Sequence, residues 1–419
     1  VFPESHEGVR SQVQRPEISK NCGERQRLTA VFITGGIALR RIMVMNLGST
    51  SFKFKLFEMD ENERCLASGS VESIGAAGSC TVSAMGRKVK DACACANHTA
   101  ALELCMNKLK AQGLDVDIAS LDAVGYKAVH GGRISGAHLV NEELMREMER
   151  MTDFAPAHNP VYLSMMRSIQ AKYPSLVQIA CFETSFHASV PPERRVYGVP
   201  YEWIEKYGIR RYGFHGSSHS YIAWKMAQAS PEARRVISVH LGGSCSLCAI
   251  RDGKSIASSM GATPQSGVFH NNRVGDLDAF CLPALARQLG GYENVMKLLA
   301  ESSGLLGLSG VSNDMRQVAN AAAEGNAQAQ LALDAFLDTV IGYIGMYTAY
   351  LGGVDAICFT GGIGTNSAEL RKRTAERLTF IGAKADDALN SQGFEGKFST
   401  SDSGVELWVL ETNEELMVA

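Results

Sequence analysis

The sequence has no basic excess. It carries 41 Lys and Arg against 44 Asp and Glu in 419 residues, a formal net charge of −3. A chain that binds nucleic acid through its phosphates usually shows a positive surplus, so that class of partner is set aside. Long apolar runs are also missing. The longest uncharged stretch towards the C-terminal half, 339–354, falls short of the roughly 20 residues a membrane helix needs and reads as a buried helix. There is no disulfide framework: eleven cysteines, an odd number, are spread from Cys22 to Cys358 in a long chain. That distribution suits a reducing, cytoplasmic setting. Cys93-x-Cys95 with His98, and Cys245-x-x-Cys248, each lack the second ligand pair of a zinc site and read as ordinary thiols. Hydrophobic residues at 45% and charged residues at 20% are soluble-domain values that argue against disorder. With about 150 residues per domain, two domains are expected.

Residues 1–41 contain no Met and show no sustained period, and the apolar stretch 28–39 ends in Arg40-Arg41 without a small-residue cleavage pattern. That segment reads as a disordered tail or a start-site artefact rather than a signal peptide. Two nucleotide motifs are absent on inspection. Gly253-Lys254-Ser255 ends like a P-loop, but Cys248 stands where its glycine should be, and the context is a hairpin. Gly361-Gly362-Ile363-Gly364 is not a full G-x-G-x-x-G and no acidic residue follows at strand spacing.

What is present is a repeated unit. Residues 42–46 are apolar, Gly48-Ser49-Thr50-Ser51 turns, and 52–56 alternate, giving strand, tight turn, strand. Asn46 stands at the mouth of the turn and Lys53 just beyond it, and backbone N–H groups in such a turn can cradle a phosphate. Nearly 200 residues on, 236–241 ends close to His240, Gly242-Gly243-Ser244 turns, 247–250 continues, and Asp252-Gly253 makes a second hairpin. A third glycine turn, 361–364, follows strand 356–359 and precedes a helix over 367–378. Further helices are expected over 141–151, 161–172, 279–289 and 320–351. The pattern predicts an internal duplication: two mixed sheets with helices, their glycine turns facing a shared cleft where a ligand binds.

Chemistry concentrates in a few segments. His215-Gly216-Ser217-Ser218-His219 follows Arg210-Arg211-Tyr212-Gly213-Phe214, and Arg and His donors suit an anion or a transferring phosphoryl group. No glutamate stands in the H-E-x-x-H position. Arg273 sits among His270, Asn271, Asn272, Asp276 and Asp278, a composition that fits an anion clamp near a metal. Lys127 with His130-Gly131-Gly132, and Ala155-Pro156-Ala157-His158-Asn159-Pro160, add polar points on turns.

Taken together these segments resemble the acetate kinase family, acyl kinases of the actin/sugar-kinase/Hsp70 fold. The residues that carry the resemblance are Asn46 to Ser51, Val129 to Gly132, Ala155 to Pro160, Phe182-Glu183-Thr184-Ser185-Phe186-His187, Tyr207 to His219, Phe359 to Gly364, and Thr412-Asn413-Glu414-Glu415-Leu416, in family order and spanning nearly everything from Met43 to the end. The resemblance implies a duplicated α/β fold with ribonuclease H-like halves and a nucleotide cleft between them: 42–188, completed by about 404–419, and 189–403. It implies reversible, direct in-line phosphorylation of acetate or propionate by ATP, with Mg²⁺ or Mn²⁺. It also implies a homodimer, while charge balance and run length speak against nucleic acid and membrane as partners. By the same resemblance Arg273, His215, Glu183 and His240 are catalytic. Lys127, Arg273 and His158 bind the carboxylate. Ser51, Lys53, His240, Leu241, Gly242, Gly243, Gly361, Gly362, Ile363, Gly364 and Asn366 bind the nucleotide, and Asn46 and Glu414 hold the metal.

The sequence departs from the family pattern at named positions. Lys127 replaces a substrate-clamping Arg, Glu183 an Asp, Gly243-Ser244 an Asn-Gly, Asn271 a Gly and Thr365 a Glu. The competing expectations are a kinase of the same fold for another acceptor such as butyrate, and a non-catalytic nucleotide clamp. A carboxylate-facing arginine favours an enzyme over a clamp.

Overall fold

A computed structural model describes residues 40–59, 63–393 and 395–419. Strand β1 (Arg40–Leu47) starts two residues earlier than the apolar pattern sets it, since the Arg41 N–H donates to Asp122 Oδ2 at 2.7 Å and draws the charged pair into the sheet. Of the expected tail, 1–39 lies outside the described residues. After the turn, β2 (Ser51–Met59) returns antiparallel with Asn46 opposite Lys53. Its period of two buries Phe52, Phe54 and Leu56 and sends Lys53 and Lys55 to the other face. Strands β3 (Arg64–Glu72), β4 (Ala77–Ala84) and β5 (Arg87–Ala94) extend the meander. On the other side of β1 lies β6 (Ala123–Ala128), then β8 (Val177–Phe182), both parallel to it, with β7 (Ala137–Leu139) at the edge.

The second sheet is built from β9 (Arg235–Leu241), β10 (Cys245–Arg251) and β11 (Lys254–Ser258), then β12 (Ala356–Thr360) parallel to β9, β14 (Glu406–Val409) parallel to β12, and β13 (Gly396–Lys397) at the edge. The orders β3-β2-β1-β6-β8 and β11-β10-β9-β12-β14 match in position and in direction. This is the duplication that the repeated strand–turn–strand unit predicted. Each sheet has its own core, around Phe52, Phe54, Val71 and Leu102 in the first, and around Val239, Phe336, Val340 and Phe359 in the second. A fully buried side chain of this kind contributes roughly 1.5–3 kcal/mol. A smaller cluster of Met151, Tyr212, Phe214 and Met260 joins the halves beside the cleft.

The structure moves several expected boundaries. Strand β14 pairs in the second sheet, and the helix Glu414–Val418 lies against β1 and β6 of the first sheet and against the helix Gly216–Ala229. Segment Ser185–Ser189 packs on β11, with His187 Nδ1 sharing a 2.8 Å hydrogen bond with Ser255 Oγ. The expected helix 320–351 is two helices, Met315–Ala323 and Ala327–Leu351. Gly325 takes φ +93° between them, and Asn326 restarts the chain by accepting from Ala329 N. Stretch 339–354 is buried on one face only, for Met346 and Tyr350 are exposed. The turn at 361–364 is itself the start of a helix, Gly361–Asn366, which leads into Ala368–Arg377. Among the described residues no helix is long and apolar enough to cross a membrane.

Candidate active site

In an open α/β sheet the loops beyond the carboxyl ends of the parallel strands are free to hold ligands. Here those ends supply Asn46 and Leu47 from β1, Lys127 from β6, Glu183 just past β8 and Ser244 just past β9. With Val129, His158, Tyr162, Phe214, His215, Pro264 and Arg273 they enclose a cavity of about 140 Å³. A larger cavity of about 680 Å³ opens on the other side of the β9–β10 turn, lined by Gly242, Gly243, Asn271, Asp314, Met315, Arg316, Gly362, Ile363 and Asn366. The turn thus faces both spaces, with Gly242 and Gly243 on the large one and Ser244 on the small one.

The small cavity holds an unusual charge. The Arg273 guanidinium donates from Nη1 to Ser244 Oγ at 3.2 Å and to the Pro264 carbonyl at 3.3 Å. Among the described residues no carboxylate pairs with it, and burial lowers its pKa from the ordinary value. A buried cation without a counter-ion is costly unless an anion arrives to neutralise it. Val129, Phe214 and Pro264 add apolar surface to the lining.

His215 follows the left-handed Gly213, itself has φ 57°, and precedes the helix Gly216–Ala229. Such a backbone is strained for a residue with a Cβ. It is held because a Cβ at Gly216 would stand 2.3 Å from the Glu183 carbonyl, so the helix start is pressed against the end of β8. His215 Nδ1 shares a 2.7 Å bond with Ser246 Oγ, Ser246 Oγ a 2.9 Å bond with His219 Nε2, and His219 Nδ1 a 2.8 Å bond with Ser238 Oγ. The His240 ring centroid lies 4.3 Å from that of His215, and its Nδ1 meets Ser218 Oγ at 2.8 Å. Burial first, and then His240 and His219, hold His215 well below the usual histidine range, so the ring is neutral at pH 7.

Glu183 is the acidic residue of the cavity lining, and Glu414 is tied to it through Lys127. Ser217 Oγ donates to Glu183 Oε1 at 2.5 Å, and Glu183 Oε2 has no hydrogen-bond partner among the described residues. Lys127 lies between the two carboxylates: its Nζ forms a direct ion pair with Glu414 and stands 3.9 Å from Glu183. Burial raises Glu183 above the ordinary carboxylate range, against the pull of Lys127. Burial works the same way on Glu414, but Lys127, His240 and Lys55 outweigh it and hold that group below its ordinary value.

The acetokinase family model matches residues 41–419. The chain belongs to the acetokinase family. It is 39% identical over 388 residues to the acetate kinase of Bacillus subtilis (strain 168), covering 91% of this chain and 98% of that protein. Two crystal structures are similar at 34% identity. One is Porphyromonas gingivalis acetate kinase, with TM-score 0.81 and coverage of 90% of this chain and 98% of that one. The other is a propionate kinase from Francisella tularensis subsp. tularensis SCHU S4, with TM-score 0.84 and coverage of 91% and 98%. The fold is therefore the two-domain, actin/sugar-kinase-like α/β architecture.

Within this acetokinase fold the residues singled out from sequence do not all meet. Asn46, Lys127, His158, Glu183, His215 and Arg273 share the small cavity, and Glu414 joins them through Lys127. Gly242, Gly243, Gly362, Ile363 and Asn366 line the large one. Ser51 and Lys53 line neither, and Lys53 Nζ instead reaches Glu72 at 3.8 Å. Leu241 is wholly buried in the core, and Gly364 is buried behind the turn. Gly361 acts by absence: it has φ +77°, and a Cβ there would stand 2.6 Å from the Leu241 carbonyl. Sequence reasoning missed Tyr162, whose Oη accepts from Leu47 N at 2.9 Å, and Pro264. It also missed Asp314 and Arg316, although Asp314 is a side-chain helix cap, a signal open to reading.

The buried histidines give a pH prediction. Burial pushes His130, His158 and His187 down to about 4, and His270 to about 3. Their unfolded value is 6.5, so below that pH the unfolded chain takes up protons first and gains stability over the fold. Each costs roughly 1.4 kcal/mol per pH unit until its folded pKa is reached. Glu183, with its raised value, works in the opposite sense but is a single group. The melting temperature should fall steadily between pH 7 and pH 5. Equal melting temperatures at the two ends of that window would contradict the neutral, buried state of these rings.

Proposed function

We propose that the chain transfers a phosphoryl group reversibly between ATP and the carboxylate of acetate or propionate, directly and in line. The observation that carries this reading is Arg273, a largely buried guanidinium without an acidic partner among the described residues, set in a cavity of about 140 Å³ beside one of about 680 Å³. The small space suits a carboxylate of two or three carbons, with its oxygens toward Arg273 and His158 and its alkyl end toward Val129, Phe214 and Pro264. The large space suits a nucleotide, its phosphates passing the Gly242–Ser244 turn towards the carboxylate.

Transfer of this kind needs positioning and electrostatic stabilisation of spreading negative charge more than it needs covalent chemistry. Arg273 would neutralise charge on the acceptor and on the moving group. His215 would donate to an equatorial phosphoryl oxygen. The proton order that allows this runs from Ser238 O–H to His219 Nδ1, from His219 Nε2–H to Ser246 Oγ, and from Ser246 O–H to His215 Nδ1, leaving Nε2–H for the anion. His240 would line the same phosphate path.

Hard oxygen donors suit Mg²⁺ or Mn²⁺. Asn46 supplies an amide oxygen, Glu414 a carboxylate held ionised, and Glu183 an oxygen with no hydrogen-bond partner. Asn46 and Glu414, directly or through water, would hold the ion, which when bound offsets the charge of the phosphates. A homodimer belongs to the same reading, since Leu277, Phe280, Tyr292 and Met296 leave apolar surface exposed on one stretch of chain, Phe280 by 91%. The described cysteines are free thiols, which suits a cytoplasmic setting.

With ATP and Mg²⁺, acetate or propionate should yield an acyl phosphate trapped by hydroxylamine, and EDTA should abolish the signal. Trapping confined to butyrate would favour the longer acceptor. ATP turnover with sugars or polyols alone would overturn the acyl-kinase reading, and ATP binding without any turnover would favour a clamp.

A further inference from the structure

Lys127 is the family departure closest to the chemistry. It stands in β6, and its ammonium is shared by two carboxylates, paired directly with Glu414 and 3.9 Å from Glu183. Its side chain is only 13% exposed. One ammonium is therefore set between two carboxylates and is already engaged by them. The same cavity also contains Arg273 and His158, which the proposed carboxylate faces. Lys carries a compact charge on a flexible four-carbon stem, whereas an Arg fork bridging two carboxylates would be held in plane by paired hydrogen bonds and would leave less readily.

We propose that Lys127 is a tethered counter-ion that holds Glu414 until a divalent cation binds, then releases it and turns its ammonium toward the substrate carboxylate. Metal binding and carboxylate binding are thereby coupled through one side chain. This rests on the acyl-kinase reading of the same site and deepens it. Two consequences follow from charge alone. Without nucleotide, a divalent cation must compete with Lys127 for Glu414, so removing the ammonium tightens metal binding. Because coupling free energies are reciprocal, the cation must in turn strengthen carboxylate binding, and that gain must vanish when the ammonium is gone.

The test uses the full chain without turnover. Mn²⁺ is titrated and the free ion read by electron paramagnetic resonance. Lys127→Met should bind Mn²⁺ at least fivefold more tightly than wild type, and Lys127→Arg, which keeps the charge and holds Glu414 more firmly, should bind it no more tightly than wild type. In a second arm ¹³C-acetate is titrated by NMR in the presence of ADP, which does not react with it, with and without Mg²⁺. Wild type should gain at least fivefold in acetate affinity with Mg²⁺, and Lys127→Met should gain less than twofold. If Lys127→Met does not fold in metal-free buffer, the rise of its melting temperature with Mn²⁺ gives the same readout and should exceed that of Lys127→Arg. Mn²⁺ binding by Lys127→Met that is unchanged or weaker overturns the proposal. An active wild type with that result sinks this inference alone, whereas a wild type that forms no acyl phosphate sinks the reading beneath it.

Discussion

Arg273→Ala should lower kcat by roughly 10²–10⁴-fold, the loss that follows removal of a charge partner for the transition state in a water-poor cleft. Its effect on stability should be small or favourable. The guanidinium spends its hydrogen bonds on Ser244 Oγ and the Pro264 carbonyl and pairs with no acid among the described residues, so its removal leaves no buried carboxylate uncompensated. That separates it from an ordinary buried ion-pair residue, whose loss costs several kcal/mol of stability along with any activity. Steady-state kinetics with thermal melts distinguish the two. A loss in kcat under threefold, or a large fall in melting temperature with activity retained, would remove Arg273 from the catalytic assignment. Arg273→Lys should recover only part of the rate, because an ammonium cannot meet two carboxylate oxygens in one plane.

The second large effect is expected at the C-terminus. Deleting residues 413–419 should abolish activity, and Glu414→Gln should lower kcat by at least roughly 10³-fold, if this carboxylate holds the divalent ion near the phosphates. Glu414 belongs to a helix of five residues, Glu414–Val418, too short to persist by itself. Contacts on both flanks keep it in place. Lys55 Nζ donates to Asn413 Oδ1 at 2.8 Å and pairs with Glu415 at 3.1 Å. Val418 lies against Gly125 in β6, where a Cβ would stand 3.0 Å from Val418 Cγ1. Glu414→Gln keeps the shape and removes the charge, so it isolates the carboxylate from the docking of the helix. The checking measurement is kcat against Mg²⁺ concentration. An enzyme lacking residues 413–419 that still forms acyl phosphate at the normal rate would refute the metal assignment.

Most of the framework could be read from the chain. The alternation of Phe52, Lys53, Phe54, Lys55 and Leu56 can satisfy only a half-buried strand, and the same strand–turn–strand unit recurring at 236–250 forced two similar sheets. Arg273, His215 and Glu183 stood out as donors and acceptors in glycine-rich loops, and the ordered set of motifs carried the family. Local patterning was less informative wherever a distant segment decided the outcome. Gly361-Gly362-Ile363-Gly364 looks like a turn, yet the chain winds directly into a helix there because Leu241 presses on Gly361 and the strand before it is fixed in the second sheet. The last sixteen residues look like one unit, yet β14 pairs with β12 while the following helix crosses to β1.

The sequence by itself determined the fold class, the duplication and the family, because hydrophobic period, turn residues and motif order are local or additive properties of the chain. Tertiary structure alone decided what each charge faces. Lys53 reaches Glu72 while Lys55, two residues on along the same strand face, holds the C-terminal helix. Lys127 pairs with Glu414, far away in sequence, and Arg273 pairs with no acid among the described residues. Charge pairing depends on distances of a few ångströms between residues far apart in the chain, and burial multiplies the energy of each such contact. Neither quantity is carried by spacing along the sequence.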